Sequence, residues 1–335
     1  MSYESISKLP PTTKILDVMD LLELLDFRRV PRPQFRPKGE IAQYYWFQEA
    51  EYRSYSGVFL SLIKEIDRQV VVYTRTLASR SYYDLKQQNR TIRSLKRHFR
   101  GIFETDFGKE RYFQIEGNPP IPAQAGCHLA FQRFGESLIR ADIYLTSRNF
   151  PHEQWKITGK FEFMDRINPR LLSNNLMLPY LISIMEDYFK STFIALLKYS
   201  NRKESFLKGT RLSSEHLLKI SSGDSSIEEA IAETLPFQKI SAICQHFKGL
   251  DPDLDLAGVL RKPYRKRKKS LFESLEELVF QRHRFIHRGI MDTSFDDRDV
   301  RMSLNDLETS VIRCYQCITG IYGWEFDQDW GRSRK

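Results

Sequence analysis

Hydrophobic positions in the second half of the chain recur every three or four residues, the spacing at which side chains share one face of a helix. The longest such run follows Asn174 and Asn175, either of which can cap a helix, and it carries Pro179 in its first turn. Another helix is predicted to begin at Ser270 and to end at Gly289. The pattern predicts a helical bundle, with helices at residues 176–200, 225–235, 270–289 and 303–324, the last capped by Ser303.

The first half is less regular and contains segments rich in β-branched and aromatic residues. A helix is expected near residues 15–27, and residues 69–76, QVVVYTRT, have the composition of a strand. Residues 40–66 fit neither the helical nor the strand period. Further strands are predicted at residues 111–117, 137–145 and 154–163. The predicted fold class is α+β, with a mixed α/β domain over residues 1–168 and an all-helical domain over residues 169–335.

One predicted helix of the first half, residues 89–102, is strongly cationic. Its apolar residues fall on one face, and no acidic residue lies between Leu85 and Phe103 to pair with its charges. The opposite face carries four arginines, which we call the cationic stripe: Arg90, Arg93, Arg97 and Arg100. The stripe is either a solvated helix surface or a surface that binds the phosphates of a nucleic acid, and the sequence leaves both interpretations open.

Composition narrows the class of protein and of partner. An apolar fraction of 41% and an aromatic fraction of 13% indicate a folded globular chain. The formal net charge of +9 favours acidic partners, of which nucleic acid is the commonest for an intracellular protein. No apolar run is long enough to span a bilayer and the first residues lack the pattern of a secretory signal, so we expect a soluble, cytoplasmic protein without membrane contact. Four scattered cysteines are too few for a disulfide scaffold.

The helix that begins at Ser270 ends in an unusual segment, residues 280–291, FQRHRFIHRGIM. One turn after Leu278 the buried face would normally continue with an aliphatic residue, but the chain has Arg282 there. Four more basic or imidazole side chains follow within two turns: His283, Arg284, His287 and Arg288. This density of polar side chains at the edge of a core face has two interpretations: a functional site, or structural residues in which Arg282 and His287 pair with core carboxylates or the backbone and do no chemistry.

Arg282 and His287 are separated by four residues, and this Arg-x4-His spacing resembles the signature of the HEPN domains (higher eukaryotes and prokaryotes nucleotide-binding), which are small all-helical bundles. The resemblance covers about residues 168–324. It includes a polar residue after the arginine, His283, and a first long helix in which aromatic residues follow an acidic pair that begins at Glu186. The resemblance implies that residues 169–335 form a HEPN-like bundle.

The resemblance further implies a metal-independent endoribonuclease without a cofactor. In that chemistry the ribose 2'-hydroxyl attacks the adjacent phosphate, His287 handles the proton and Arg282 binds the phosphate. Five residues along a helix rotate a side chain by about 140°, so one protomer cannot present both side chains on one face. Family members solve this by dimerising, and we expect a homodimer. The candidates for supporting roles are His283, Arg284, Arg288 and Glu186. The alternative is that Arg284 and Arg288 are solvated on the outer side of the helix and that Glu186 is simply exposed.

The same resemblance implies a toxin-like effector in prokaryotic antiviral defence or stress response, which acts on RNA. A regulatory or antitoxin partner is a candidate, and the sequence does not disclose whether a partner restrains the activity. The alternative function is a non-catalytic module that binds nucleic acid or only dimerises. Cleavage of RNA in the presence of a chelator distinguishes these two functions.

Other motifs have competing interpretations. His283 and His287 have the spacing of a zinc pair, but Arg284 between them opposes a divalent cation, so no metal site is predicted. Cys314 and Cys317 form a lone CxxC within an apolar stripe, which favours packing over metal binding.

The densest basic run, RKPYRKRKK at residues 261–269, can bind an RNA backbone, act as a nuclear localisation signal or form a solvated loop. Its position just before the helix that begins at Ser270 favours contact with RNA. The residues assigned to nucleic-acid binding there are Arg265, Lys266, Arg267, Lys268 and Lys269.

Overall fold

The computed structural model describes residues 2–31, 38–65, 69–148, 165–326 and 328. The chain divides into two compact units, Met1–Ala125 and Gly126–Lys335. This boundary lies well before the predicted one at residues 168/169. The difference arises because residues 122–147, which were predicted to belong to the first domain, form a helix whose side chains contact the later helices of the second unit. Strands and helices together confirm the α+β class.

The described residues of the first unit form a seven-stranded sheet with the order β2-β3-β4-β5-β1-β6-β7, and every neighbouring pair is antiparallel. The strands are β1 (Tyr3–Lys8), β2 (Arg28–Arg29), β3 (Glu40–Trp46), β4 (Val58–Lys64), β5 (Val70–Thr76), β6 (Ile102–Thr105) and β7 (Gly108–Lys109). The strand predicted at residues 69–76 is confirmed as β5. Residues 40–66, which fit neither period, contain β3 and β4, and alternate residues of both are buried.

Two helices, α1 (Ile15–Leu24) and α2 (Tyr82–Phe99), accompany this sheet. Val18 and Leu22 of α1 belong to the same buried cluster as Leu60 and Leu62 of β4, so α1 covers one face of the sheet. The helix α2 begins at Ser81, whose side chain caps it. It ends at Phe99, earlier than predicted, because the next residue adopts a left-handed conformation and Ile102 already belongs to β6.

Two of the remaining strand predictions for the first half are wrong. Residues 111–117 form no strand, and residues 137–145 lie inside a helix, α3 (Pro122–Ser147). The spacing of apolar residues in a short run does not distinguish a strand from a helix. A longer stretch of the chain does, because Phe131, Phe134 and Leu138 are buried at helical spacing. The strand predicted at residues 154–163 lies outside the described residues.

The described residues of the second unit form a helical bundle whose long helices are α3, α4 (Pro169–Lys198), α10 (Leu271–Arg288) and α11 (Asp297–Tyr322). Shorter helices lie between α4 and α10: α5 (Lys203–Gly209), α6 (Ser214–Ser222), α7 (Ile227–Glu233), α8 (Ile240–Leu250) and α9 (Leu256–Arg261). The helices α3 and α4 run antiparallel. The Phe134 ring of α3 lies 5.5 Å from the Tyr188 ring of α4, and the hydroxyl groups of Tyr144 and Ser173 form a hydrogen bond. None of the described helices is long and apolar enough to cross a bilayer.

Two helix starts in this unit differ from the prediction. The helix α4 begins at Pro169 with Asn168 as its cap, so Asn174 and Asn175 are buried inside the helix rather than capping it. The helix α11 begins after Asp296, whose carboxylate accepts from two backbone amides, so Ser303 is an interior residue. In both cases a capping residue lies earlier in the chain than predicted. The apolar stripe alone does not show how far a helix extends before the first residue of the stripe.

Candidate functional site

The helix α10 carries the Arg-x4-His motif at its C-terminal end. It begins as predicted at Ser270, where the side chains of Ser270 and Glu273 each bond to the other's backbone amide. It ends as predicted at Gly289, which has a φ of 62°, and the Gly289 amide donates to the Phe285 carbonyl. The motif is therefore held on a regular helix whose two ends are both fixed.

Arg282 lies at the edge of the core and is only partly exposed. Its Nε is buried and has no hydrogen-bond partner among the residues that the structure describes. Within the described part of the chain, Arg282 also forms no ion pair. A buried donor without an acceptor is unfavourable by about 1–3 kcal/mol, so the Arg282 Nε could gain stability from an acceptor that the described residues do not supply.

His283 and His287 lie on the exposed side of the same helix. Their ring centroids are 4.5 Å apart and the rings are inclined by 43°. The partly buried Arg282 and the exposed His287 therefore occupy different sides of α10, as the five-residue separation predicts. In the described residues, no three His, Cys, Asp or Glu side chains come together as a metal site would require.

The other cations of the motif surround these two histidines. Arg284 is partly exposed and its guanidinium lies 5.9 Å from the centre of the Phe280 ring, while Arg288 is exposed in the last turn. Across the ranges that the structure describes, neither arginine and neither histidine is paired with a carboxylate. The last two turns of α10 thus form a surface of basic and imidazole side chains without a described carboxylate partner, which we call the motif surface: Arg282, His283, Arg284, His287 and Arg288.

The loop that follows α10 is fixed to the start of α4 by two asparagines. Asn175 donates from Nδ2 to the Asp292 carbonyl at 2.9 Å and accepts from the Asp292 amide at 2.9 Å. Asn174 donates to the Phe295 carbonyl at 3.0 Å. The prediction that one of these residues caps a helix is therefore wrong, although adjacent asparagines between apolar positions are a signal of buried polar contacts.

An ion-pair cluster lies at the same end of the bundle. The Asp297 carboxylate accepts from Arg148 Nη2 at 2.6 Å and from Arg170 Nη2 at 2.5 Å. Burial raises the pKa of Asp297, but the hydrogen bond from Arg170 and the charges of both arginines outweigh it, so its net pKa is lowered. The sequence does not reveal this cluster, because Arg148 directly follows α3 while Arg170 and Asp297 lie on α4 and α11, far apart in the chain.

Glu186 does not reach the motif. The helices α4 and α10 pack against each other, as an orienting role for Glu186 requires. Glu186 is partly buried, but among the described residues it forms no hydrogen bond or ion pair with Arg282 or His287. No described contact of Glu186 therefore supports its predicted role.

An acidic cavity of about 230 Å³ lies between α10 and α11. Glu277 and Gln281 of α10 line it together with Asp299 and Asp306 of α11. Burial, together with the nearby Asp296 carboxylate, raises the pKa of Asp299. Carboxylates repel phosphate, so this cavity is unsuited to an RNA backbone.

The basic run at residues 261–269 lies far from the motif. The helix α10 has 18 residues, and at 1.5 Å per residue it separates the run from His287 by about 27 Å. Arg267 is paired with Asp306 at 2.8 Å, and the Arg265 guanidinium lies 5.0 Å from the centre of the Tyr264 ring. The other predicted RNA contacts in the run are exposed: Lys266, Lys268 and Lys269.

The cationic stripe lies on the exposed face of α2. Arg90, Arg93 and Arg97 are exposed within the helix, and Arg100 is exposed just after its end. The Arg93 guanidinium lies 5.3 Å from the centre of the Tyr112 ring. No described carboxylate pairs with any of the four arginines. The stripe is therefore available to phosphate groups.

The CxxC pair is part of the packing. Cys314 is fully buried and Cys317 is half-buried. Burial raises the pKa of both thiols, which keeps them protonated near neutral pH.

In comparisons with family models, with curated proteins and with solved structures, the chain has no match.

Proposed function

We propose that the second unit cleaves RNA without a metal ion, through Arg282 and His287. The observation that carries this proposal is the motif surface, in which five basic or imidazole side chains have no carboxylate partner among the described residues and one buried guanidinium nitrogen has no acceptor. Structural arginines at a core edge are normally paired. A phosphate diester supplies acceptors and negative charge at the same point.

The chemistry needs few groups. The ribose 2'-oxygen attacks the adjacent phosphorus, the bond to the 5'-oxygen breaks, and the products end in a 2',3'-cyclic phosphate and a 5'-hydroxyl. One proton leaves the 2'-hydroxyl and one reaches the departing 5'-oxygen. An imidazole such as His287 performs such transfers near neutral pH, and the guanidinium of Arg282 stabilises the charge that develops on the phosphorane oxygens.

A homodimer completes the proposed site. Arg282 and His287 lie on different sides of α10, so the Arg282 of one copy and the His287 of another combine across a two-fold axis. Ile286 and Phe280 are 47% and 55% exposed beside these charges, and burial of both side chains against a second copy would remove apolar surface from water. A phosphate in the cleft would offset the repulsion between the arginines of the two copies.

The biological setting that accompanies this proposal is a toxin-like effector in prokaryotic antiviral defence, restrained by a partner. It rests on the resemblance of the motif alone.

The second candidate function is nucleic-acid binding without cleavage. The unpaired cationic stripe on α2 favours it, because the stripe can hold phosphates whether or not the second unit is an enzyme.

The experiment that separates the two functions incubates the purified chain with labelled RNA in a chelator. The proposal expects cleavage that yields 2',3'-cyclic phosphate ends. RNA of the same sequence with 2'-deoxy sugars should remain intact, because it lacks the nucleophile. Binding of RNA without cleavage would assign the second function.

A further inference from the structure

The first unit contains an open cleft of about 670 Å³, bounded by the end of α1, the end of β3 and the start of α2. Its volume lies within the range of small-ligand sites. Its walls combine basic, aromatic and acidic side chains, and these groups occupy different parts of the cleft.

Basic side chains occupy the α2 wall and the strand beside it. Lys86 and Arg90 are one turn apart on the exposed face of α2, and Arg28 comes from β2. In the described residues, none of these three side chains has an ion-pair partner. Arg53, also in the cleft, is paired with Glu51 at 2.6 Å. Three cations are therefore free to bind an anion such as a phosphate group.

Aromatic rings supply a flat apolar surface in the same cleft. Phe47 is 45% exposed and stacks on Tyr45 at 6.0 Å between ring centroids, which leaves its other face open. Tyr83 is half-buried, and the Arg53 guanidinium lies 5.3 Å from the centre of its ring. Exposed rings beside cations are the surface on which single-stranded nucleic acids stack their bases.

Two carboxylates, Glu23 and Asp26, lie at the α1 end of the cleft. Carboxylates accept hydrogen bonds from the amino groups of bases and repel phosphate. The cleft is therefore polarised, with anion binding at the α2 wall and acceptors at the α1 end. An inorganic anion would use only one of these halves.

Buried hydrogen bonds hold the walls of the cleft in place. The Asp84 carboxylate is fully buried and accepts from the backbone amides of Tyr55 and Ser56 at 3.1 and 3.0 Å. Ser81 Oγ donates to the Arg53 carbonyl at 2.5 Å. Gln87 Nε2 donates at 2.8 Å to the carbonyl of the residue after α1, Leu25. Because the start of α2 is bonded to the end of α1 and to the segment between β3 and β4, the cleft is formed before any ligand binds.

We propose that this cleft binds a nucleotide unit, with its base stacked on Phe47 and its phosphate held by Lys86 and Arg90. The macromolecular source that the surface favours is single-stranded RNA, because the cationic stripe continues the same exposed face of α2 through Arg93 and Arg97. That this RNA is the strand cut by the second unit rests on the proposed function. The binding site itself does not.

The test measures binding on a chain that cannot cut its ligand by the proposed mechanism. The full chain with Arg282→Ala and His287→Ala is titrated into a dye-labelled RNA of about twelve nucleotides, and fluorescence anisotropy gives the affinity. Lys86→Gln with Arg90→Gln should weaken binding about tenfold or more. Phe47→Leu should weaken it about fivefold or more, whereas Phe47→Tyr, which keeps the ring, should bind as the parent does.

The matched control removes the same charges elsewhere in the unit. Lys14 and Arg111 are exposed and lie outside the cleft, so Lys14→Gln with Arg111→Gln should change the affinity less than twofold. Equal weakening by both charge pairs, or unchanged binding by Phe47→Leu, would overturn the proposal. Competition with a mononucleotide distinguishes an RNA strand from a free nucleotide as the ligand. Weak competition assigns the site to an RNA strand. Competition at the affinity of the oligomer assigns it to a free nucleotide.

The outcome is independent of catalysis. Loss of binding in the cleft variants with intact cleavage of short RNA by the wild type would support both the cleft and the enzyme. A chain that binds RNA in the cleft but never cuts it would support the proposed binding site and contradict the proposed function.

Discussion

The imidazole rings of His283 and His287 lie with their centroids 4.5 Å apart on the exposed side of α10. The two side chains are thus in contact, and each limits the rotamers of the other. If His287 transfers the proton, His283 acts as a positioning residue for it. If both transfer protons, His283 is itself catalytic.

Two substitutions of His283 distinguish these roles. His283→Phe keeps a ring of similar size against His287 but cannot carry a proton, whereas His283→Ala removes the ring. We expect His283→Phe to retain cleavage within about threefold and His283→Ala to lose about tenfold, as measured by single-turnover cleavage of labelled RNA. A loss of about a hundredfold or more in His283→Phe would instead assign His283 a proton-transfer role.

A shared site predicts complementation between two inactive proteins. Arg282→Ala and His287→Ala chains, mixed at concentrations where subunits exchange, form some mixed dimers in which one of the two composite sites is complete. Cleavage should therefore recover above that of either protein alone. Absence of recovery, together with a wild type that is active and monomeric by light scattering, would contradict the shared site.

Asp297 should stabilise the second unit in a pH-dependent way. Its lowered pKa means that its ion pairs with Arg148 and Arg170 stabilise the fold above the unfolded pKa, near 3.8, and that this stabilisation is lost as the pH falls through the lower folded value. Asp297 is about one-third exposed, so we expect Asp297→Asn to lower the free energy of unfolding by about 1–3 kcal/mol at pH 7.

Urea unfolding followed by tryptophan fluorescence checks this expectation. At a pH below the folded pKa of Asp297, the wild type and Asp297→Asn should be equally stable. The control is Asp142→Asn, whose ion pair with Arg301 spans 3.8 Å with an exposed arginine, and it should change stability by less than about 0.5 kcal/mol. A difference between wild type and Asp297→Asn that is independent of pH would show that the charge of Asp297 is not the cause.

The cationic stripe should determine the salt dependence of RNA binding. Replacement of Arg90, Arg93, Arg97 and Arg100 by Gln should lower the slope of log affinity against log salt by about 0.7 for each phosphate of a single strand that the helix no longer neutralises. The same titration on Lys14→Gln with Arg111→Gln provides the control. An unchanged slope in the stripe variant would assign α2 to a solvated surface.

Local signals in the sequence were sufficient to predict the start and the end of α10, the helix that carries the motif. Ser270, Glu273 and Gly289 fix both ends of α10 through contacts within one turn, and such contacts are readable from spacing. The strand β5 was predicted for the same reason, since its β-branched composition is local. The motif surface follows from these elements, because helix geometry alone places Arg282 and His287 on different sides.

Features that depend on distant residues were not predictable. From neighbouring residues alone, Asn174 and Asn175 are predicted to cap a helix. They are buried because they hydrogen-bond to the loop after α10, more than a hundred residues later in the chain. The segment 137–145 has a strand-like composition, but as a helix it places Tyr144 against Ser173 of α4 and Asp142 near Arg301 of α11. The cleft of the first unit combines residues from three separate segments, and no spacing in the sequence connects them.

The central claim is that Arg282 and His287 cut RNA, and the most direct measurement is the single-turnover rate of RNA cleavage in a chelator by Arg282→Ala, Arg282→Lys and His287→Ala. Arg211 is exposed in the same unit, so Arg211→Ala is the matched control, and circular dichroism verifies that all variants are folded. The proposed function predicts that the control cleaves as the wild type does and that both alanine variants lose about 10²- to 10⁴-fold. Arg282→Lys should also be impaired, because an ammonium group lacks the bidentate geometry. Folded Arg282→Ala and His287→Ala proteins that cleave at the wild-type rate would contradict the claim.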